Sequence, residues 1–241
     1  MSAVAQRSSA LFKSSIGKKS LMGLTGLFLI SFLIVHCFIN AMVFFDKSGQ
    51  LFNEYAHFMG TNIIIRIMEV VLFVGLILHA ADGLMLYFQN RAARPQKYAF
   101  NKPSANSSWY SRSMALLGTL LLIFLVLHLS HFWVKSRGII GSLPEVGHPH
   151  ILNTQMIDLY SEMVKIFTSP FIVAIYIAAQ FALAYHLLHG FWSAFQSLGL
   201  NHTKYNKAIH LAGTAFAIVV PFIFALMPIT IYLRVHELIS F

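Results

Sequence analysis

Five apolar runs dominate this sequence of 241 residues. Each is about 20 residues or longer, the length that an α-helix needs to cross a hydrocarbon core of roughly 30 Å. Lipid offers no hydrogen-bond partners to backbone groups, so segments that span it must be helices. The sequence therefore predicts an all-α integral membrane protein in which a single domain, residues 1–241, carries five transmembrane helices. The runs lie at about 21–45, 63–89, 113–135, 170–196 and 208–233.

The composition agrees with this class, because 57% of the residues are hydrophobic and only 10% are charged. Residues 1–20 are polar and basic, and the apolar run behind them is too long for a signal-peptide core and lacks a small-residue cleavage site. We expect this segment to be retained. The one cysteine, Cys37, lies within the first run. Disulfides, Cys-ligated zinc and iron–sulfur clusters are thus excluded within this single chain.

Basic residues are distributed unevenly among the loops. Segment 1–20 and the second and fourth loops contain Lys and Arg but no Asp or Glu, whereas the other loops mix both signs. By the positive-inside rule, the N-terminus is cytoplasmic and the C-terminus is outside, as expected of a multi-pass protein of a bacterial-type cytoplasmic membrane. The net charge of +9 then reflects topology or a surface for an acidic partner, rather than nucleic acid binding. The basic residues concerned are Arg7, Lys13, Lys18, Lys19, Arg91, Arg94, Lys97, Lys102, Arg112, Lys204 and Lys207.

Histidines occur inside four of the five predicted spans, where an ionisable side chain is costly and is therefore a candidate for function. Each lies a few residues beyond the midpoint of its span, which is roughly 4 to 6 Å from the bilayer centre. The first and third spans run outward and the second and fourth run inward. His36 and His128 are therefore expected in the outer half of the membrane, and His79 and His186 in the inner half.

Two histidines at each of two levels, on four helices, match the axial ligands of two stacked b-type haems. The pairing that follows is His36 with His128 and His79 with His186. A membrane di-iron site is disfavoured, because the two HxxH pairs, which add His131 and His189, lie at opposite depths. Spacing alone leaves open which member of each HxxH pair is the ligand, since positions i and i+3 share a helix face.

Several segments resemble the cytochrome b558 membrane anchor of succinate dehydrogenases and fumarate reductases, of the single-subunit type with five helices and two haems. The resemblance covers most of the chain up to about residue 200. It implies that the haem ligands are His36, His79, His128 and His186, with His131 and His189 as neighbours. The matching segments are FLIVHCFIN, YAHFMG, LILHAADGLMLYF, LIFLVLHLSHFW and AYHLLHGFWSAFQSLG.

The resemblance also implies a larger complex: a flavoprotein subunit with FAD, an iron–sulfur subunit docked on the cytoplasmic face, and menaquinone or ubiquinone in the membrane. This chain would be its electron-transfer subunit, as in the succinate dehydrogenase of the tricarboxylic acid cycle, and would hold no active site for succinate. Electrons would pass from the iron–sulfur partner to the inner haem, the outer haem and quinone. The basic inner loops, which include Tyr98, Phe100, Trp109 and Tyr110, suit either a docking surface or contact with anionic lipid.

Three residues near the outer end are candidates for quinone or proton chemistry. Glu69 lies one turn from Arg66, so it is either half of an interfacial ion pair or a carboxylate that exchanges protons with quinone. His57 lies in the first outer loop and could approach quinone or could simply be exposed.

Asp82, three residues after His79, is expected to bond a histidine, a neighbouring helix or water.

Two other functions remain compatible with the sequence. One is a di-haem cytochrome b of a different quinone-linked enzyme, such as a hydrogenase or formate dehydrogenase. The other is an anchor whose haems stabilise the fold without conducting electrons.

Overall fold

The computed structural model describes residues 14–93, 102–151 and 154–239. Within these residues, five helices are long and apolar enough to cross a membrane, which confirms the predicted all-α integral membrane class. They are α1 (Ser15–Asn40, extended by a 3-10 turn Ala41–Phe44), α3 (Ile63–Ala92), α5 (Met114–His128), α8 (Pro170–Ser197) and α9 (Thr203–Val235). The shorter elements are α2 (Gln50–Thr61), α4 (Trp109–Arg112), β1 (Glu145–Gly147), β2 (Gln155–Ile157) and α7 (Leu159–Phe167).

The third spanning helix changes its geometry part of the way along. After α5 the chain forms a π-helical turn, Leu129–Trp133, and then a final α-helical turn, α6 (Val134–Ser136). A π turn adds one residue per turn and rotates everything beyond it relative to the helix before it. Residues on either side of His128 are therefore not related by the simple i, i+3 geometry of an α-helix.

The first helix begins earlier than its apolar run. It starts at Ser15, where the Ser14 side chain accepts a hydrogen bond of 3.0 Å from the Gly17 amide, as an N-cap does. Lys18 and Lys19 thus lie in its first turns rather than in a preceding segment. Other basic and aromatic residues singled out in the sequence lie outside the described residues: Arg7, Lys13, Arg94, Lys97, Tyr98 and Phe100.

Four of the spanning helices form a bundle, and the fifth packs against its side. Going round the bundle, α1 contacts α3 and α8, and α5 contacts α3 and α8. The diagonal partners are therefore α1 with α5 and α3 with α8. Helix α9 packs mainly along α8 and also contacts α1, where Arg234 donates to the carbonyls of Val43 (2.6 Å) and Phe44 (3.4 Å).

One end of the bundle is covered by a small polar unit, which we call the cap: α2, the antiparallel hairpin β1–β2 and α7. Asp158 joins its parts, because it accepts hydrogen bonds from the Ser161 amide at the start of α7 (3.0 Å) and from the Asn53 side chain in α2 (2.8 Å). Burial tends to raise the pKa of Asp158, but the hydrogen bonds from Ser161 and Asn53 outweigh it and hold the pKa below the usual aspartate value.

Gly49, at the start of α2, allows the cap to close. Its φ of 74° is in the left-handed region, and a Cβ atom there would lie 2.0 Å from the ring of Tyr160. The Tyr160 hydroxyl donates to the Lys47 carbonyl (3.1 Å), so α7 packs closely on this turn. We call this end of the bundle the cap end. The opposite end, where Lys18, Lys19, Arg91, Arg112, Lys204 and Lys207 lie, is the basic end.

Candidate functional site

The four candidate histidines meet as two pairs inside the bundle. The ring centroids of His36 and His128 are 5.8 Å apart, with planes at 87°. Those of His79 and His186 are 6.2 Å apart, with planes at 66°. The first pair lies toward the cap end and the second toward the basic end; we call them the cap-side pair and the basic-side pair.

Each pair joins two diagonally opposite helices. His36 and His128 come from α1 and α5, and His79 and His186 come from α3 and α8. Within the described residues, neither diagonal pair of helices shows extensive contact, so each pair of imidazoles reaches across the axis of the bundle. Such an arrangement can place a flat group between the helices, with one imidazole on either face.

The spacing of the rings fits an iron atom between them. A metal–imidazole bond is roughly 2 Å long and the ring centroid lies about 1 Å further, so two axial imidazoles on one iron have centroids about 6 Å apart. Both pairs have this separation. The donor set fits as well, since neutral imidazoles are common axial ligands of haem iron. In the described part of the chain, no three His, Cys, Asp or Glu side chains gather as a bare metal ion needs.

Two glycines give the basic-side imidazoles room against neighbouring helices. A Cβ atom on Gly26 of α1 would lie 3.5 Å from Cε1 of His79, and one on Gly118 of α5 would lie 3.8 Å from Cε1 of His186. A side chain longer than a methyl group at either position would crowd the imidazole. Among the described residues, Nδ1 of His186 and Nδ1 of His128 are buried and lack a hydrogen-bond partner.

Phenylalanine rings surround the cap-side pair. His36 has Phe32 and Phe224 beside it, at centroid distances of 5.1 and 5.6 Å. His128 has Phe124 and Phe132 at 5.7 and 5.4 Å. Helix α9 holds none of the four histidines, but it contributes Phe224 to the phenylalanine rings around this pair. The rings exclude water and keep both imidazoles in an apolar setting.

The two remaining histidines of the HxxH pairs differ from their neighbours. His131 lies in the π turn, and its Nδ1 is 2.9 Å from the hydroxyl of Tyr176, with the two rings nearly parallel at 5°. Because one nitrogen of His131 is engaged by Tyr176, it has a structural partner that His128 lacks. His189 is half-buried, one turn beyond His186 on α8. In the described residues, His131 is thus bonded to Tyr176 and is not a member of either histidine pair.

Glu69 is held by three donors at the cap end. Arg66 donates to its Oε2 at 2.5 Å and Arg137 at 2.7 Å, while the indole N–H of Trp133 donates to Oε1 at 2.7 Å. Its side chain is only 17% exposed. The Glu69 carboxylate is therefore not limited to an ion pair with Arg66, because Arg137 and Trp133 also bond to it. Trp133 and Arg137 were not anticipated from the sequence, since they are more than sixty positions away and no local pattern links them to Glu69.

The other candidates lie apart from this cluster. His57, in α2 of the cap, has the ring of His148 5.7 Å away, and within the described residues no hydrogen bond or ring contact joins it to Glu69 or Arg66. Asp82 is 3% exposed, and among the described groups its Oδ2 has no hydrogen-bond partner. A further ion pair, Lys135 with Glu162, connects the end of α6 to α7 of the cap.

No family model and no solved structure matches this chain. Among curated proteins it is similar to the succinate dehydrogenase cytochrome b558 subunit of Bacillus subtilis (strain 168). The two are 25% identical over 193 residues, which is 79% of this chain and 82% of the relative. Together with the five apolar helices of the described residues and the quoted segments, this similarity supports a distant relationship to the succinate dehydrogenase cytochrome b558 subunits.

Proposed function

We propose that this chain is the di-haem cytochrome b membrane anchor of a succinate:quinone oxidoreductase. The observation that carries the proposal is the presence of two imidazole pairs, on the two diagonals of one four-helix bundle, each with the ring separation of a bis-histidine iron site. His36 and His128 are the proposed ligands of one b haem, and His79 and His186 those of the other. The whole chain acts as one domain.

The bound haems supply a one-electron relay, and the residues of this chain hold and insulate it. The two imidazoles of each pair would hold the iron of one haem. The phenylalanines around the cap-side pair exclude water, which lowers the local dielectric and stabilises a low-charge site. Gly26 and Gly118 let the basic-side imidazoles lie close to neighbouring helices.

The charge distribution supports an orientation with the basic end in the cytoplasm and the cap outside. In a bacterial-type cytoplasmic membrane, the basic end is then where an iron–sulfur subunit docks, with an FAD-containing flavoprotein beyond it. Trp109, exposed beside Tyr185 at 5.5 Å, and Arg112 of α4 belong to this surface. The basic-side pair becomes the inner haem site and the cap-side pair the outer one, so electrons enter at the basic end and leave toward quinone near the cap.

The quinone, menaquinone or ubiquinone, is expected near the cap end, where Glu69 is the candidate for proton exchange and Arg66 beside it is a candidate for contact with quinone. Arg66, Arg137 and Trp133 all donate to the Glu69 carboxylate, so a quinone that bonds to Glu69 would have to share it with these donors or displace one of them. His57 stays a weaker candidate, because its described ring neighbour is His148 rather than the Glu69 cluster.

The test is to purify the chain with its partner proteins and to measure haem and electron transfer together. Two b haems per chain by pyridine haemochrome assay, both reduced by succinate, are expected. If succinate does not reduce the haems but another electron donor does, the chain belongs to a different quinone-linked enzyme. Haem reduced by succinate without any quinone reduction indicates an anchor that does not conduct to quinone. One haem per chain, or none, contradicts the two-pair proposal.

A further inference from the structure

Thr25 places a hydroxyl group inside the bundle at the basic-side pair. Its side chain belongs to α1 and is 7% exposed. Oγ1 lies 2.8 Å from the Leu21 carbonyl and 3.2 Å from the Met22 carbonyl, the usual positions for a threonine that bonds back to its own helix. The same oxygen lies 3.2 Å from Nδ1 of His79, on the neighbouring helix α3.

These contacts determine where the proton of the imidazole lies. A hydroxyl has a single hydrogen, and the short contact from Oγ1 to the Leu21 carbonyl uses it, because a carbonyl can only accept. The oxygen can then only accept from His79, so Nδ1 carries the hydrogen. With Nδ1 protonated, Nε2 of His79 has a free lone pair.

The other three paired histidines lack this arrangement. Among the described residues, Nδ1 of His128 and Nδ1 of His186 have no hydrogen-bond partner. Nδ1 of His36 faces the Asn40 side-chain nitrogen at 3.3 Å, and that amide already donates to the His36 carbonyl at 2.8 Å. Within the described part of the chain, His79 is therefore the one paired histidine whose Nδ1 meets a side-chain acceptor.

We propose that Thr25 is a positioning residue for the basic-side haem: it fixes the tautomer and the ring orientation of His79, so that Nε2 binds the iron opposite His186. This inference rests on the proposed function, since it concerns a ligand of one proposed haem. A hydrogen bond from the outer nitrogen of a ligating imidazole makes the ligand more basic. A more basic axial ligand stabilises the ferric state, so the hydroxyl lowers the reduction potential of this haem and leaves the other unaffected.

The chain offers a matched set of variants. Thr25→Val keeps the branched shape and removes the hydroxyl, whereas Thr25→Ser keeps the hydroxyl. Thr119→Val removes a hydroxyl that bonds back to the Ala115 carbonyl at 2.8 Å but lies on an exposed face of α5, so it controls for loss of the intrahelical bond. The purified complex of each variant is examined by redox titration and by electron paramagnetic resonance of the oxidised haems.

In Thr25→Val, we expect the basic-side haem to shift to a more positive potential and to change its low-spin resonance signal, with the cap-side haem unchanged. Thr25→Ser and Thr119→Val should match the wild type. If Thr25→Val loses the basic-side haem, rescue by Thr25→Ser supports the role of the hydroxyl, while loss in both variants contradicts it.

Three other results overturn the inference. They are unchanged potentials and spectra in Thr25→Val, an equal shift of both haems, and a shift in Thr119→Val as large as that in Thr25→Val. The proposed function fails differently, because a wild-type complex with fewer than two haems contradicts the di-haem assignment before any variant is made. If the wild type binds two haems and Thr25→Val has no effect, the di-haem proposal stands and only the proposed role of Thr25 is contradicted.

Discussion

The cap-side and basic-side histidine pairs have similar ring separations but different surroundings. The cap-side pair is enclosed by Phe32, Phe124, Phe132 and Phe224, and polar clusters lie beyond it at the cap end. The basic-side pair has no aromatic neighbour other than its own members among the described residues, and a threonine hydroxyl and two glycines adjoin it. One site is thus shaped by aromatic packing, the other by a hydrogen bond and close helix approach.

Under the proposed function, the difference suggests how the two sites would divide their tasks. Charged groups with partners, such as Glu69 with its three donors and Glu162 with Lys135, lie at the cap end. Proton exchange with quinone needs groups of this kind near the redox site. Under the proposed function, the basic side would only receive electrons from a docked protein, for which a well-positioned haem would be sufficient.

The strongest way to test the distinction is to remove one histidine at a time. His36→Ala and His128→Ala should lose the same haem, and His79→Ala and His186→Ala the other, because each iron needs both imidazoles of its pair. Half of the bound haem is lost in each case. Difference spectra and haem quantification check this, with His131→Ala and His189→Ala as controls that keep both haems. If His36→Ala and His79→Ala lose the same spectral component, the pairing is wrong.

The next largest effect is expected at Glu69. Glu69→Gln keeps an acceptor oxygen for Trp133 but cannot take up a proton, so both haems should remain reducible by succinate while quinone reduction falls by about a hundredfold. The measurement is succinate-driven quinone reduction, with haem reduction recorded in the same sample. Undiminished quinone reduction would assign Glu69 to the structure of the cap end alone. Glu54→Gln, in α2 of the cap, is the matched control.

A stability effect should follow from removing Lys135. In Lys135→Met the Glu162 side chain, only 7% exposed, loses its ionic partner, and a charge left unpaired in such a setting costs about 2–3 kcal/mol. Thermal unfolding of the purified complex checks this. Replacing both residues, as Lys135→Met with Glu162→Gln, should recover most of the loss, because no charge is then left unpaired. A double variant as unstable as the single one would show that packing, not charge, is responsible.

The smallest effect concerns Asp158 and pH. Its folded pKa is depressed, so its contribution is present above the unfolded pKa of about 3.9 and is lost as the pH falls through the lower folded value. Asp158→Asn should reduce stability near neutral pH by less than Lys135→Met does, with the gap to wild type closing as the pH falls below about 4. Unfolding measured across that range checks this, and a gap independent of pH would contradict it.

Much of the fold was predictable, because membrane-spanning helices are encoded locally. Apolar runs of sufficient length predicted five spans, and the described part of the chain contains five long apolar helices. The ends of the helices were harder to predict from the sequence. Helix α1 begins six positions before its apolar run, because Ser14 and the lysines that follow it are compatible with a helix that extends out of the lipid. The π turn after His128 left no recognisable pattern in the sequence, although it decides that His131 meets Tyr176.

The candidate site, like the fold, was partly predictable from the sequence and partly decided by the tertiary structure. By itself, the sequence determined that four histidines lie in four spans at two depths, because helical rise and span length are local properties. The two depths also predicted which imidazoles pair, but only the tertiary structure decided that the helices of each pair are diagonal, so that the imidazoles meet across the bundle axis. It alone brought Thr25 to His79, and Trp133 and Arg137 to Glu69, across separations of more than fifty positions. Such contacts depend on how helices pack, and no residue spacing within a single helix specifies them.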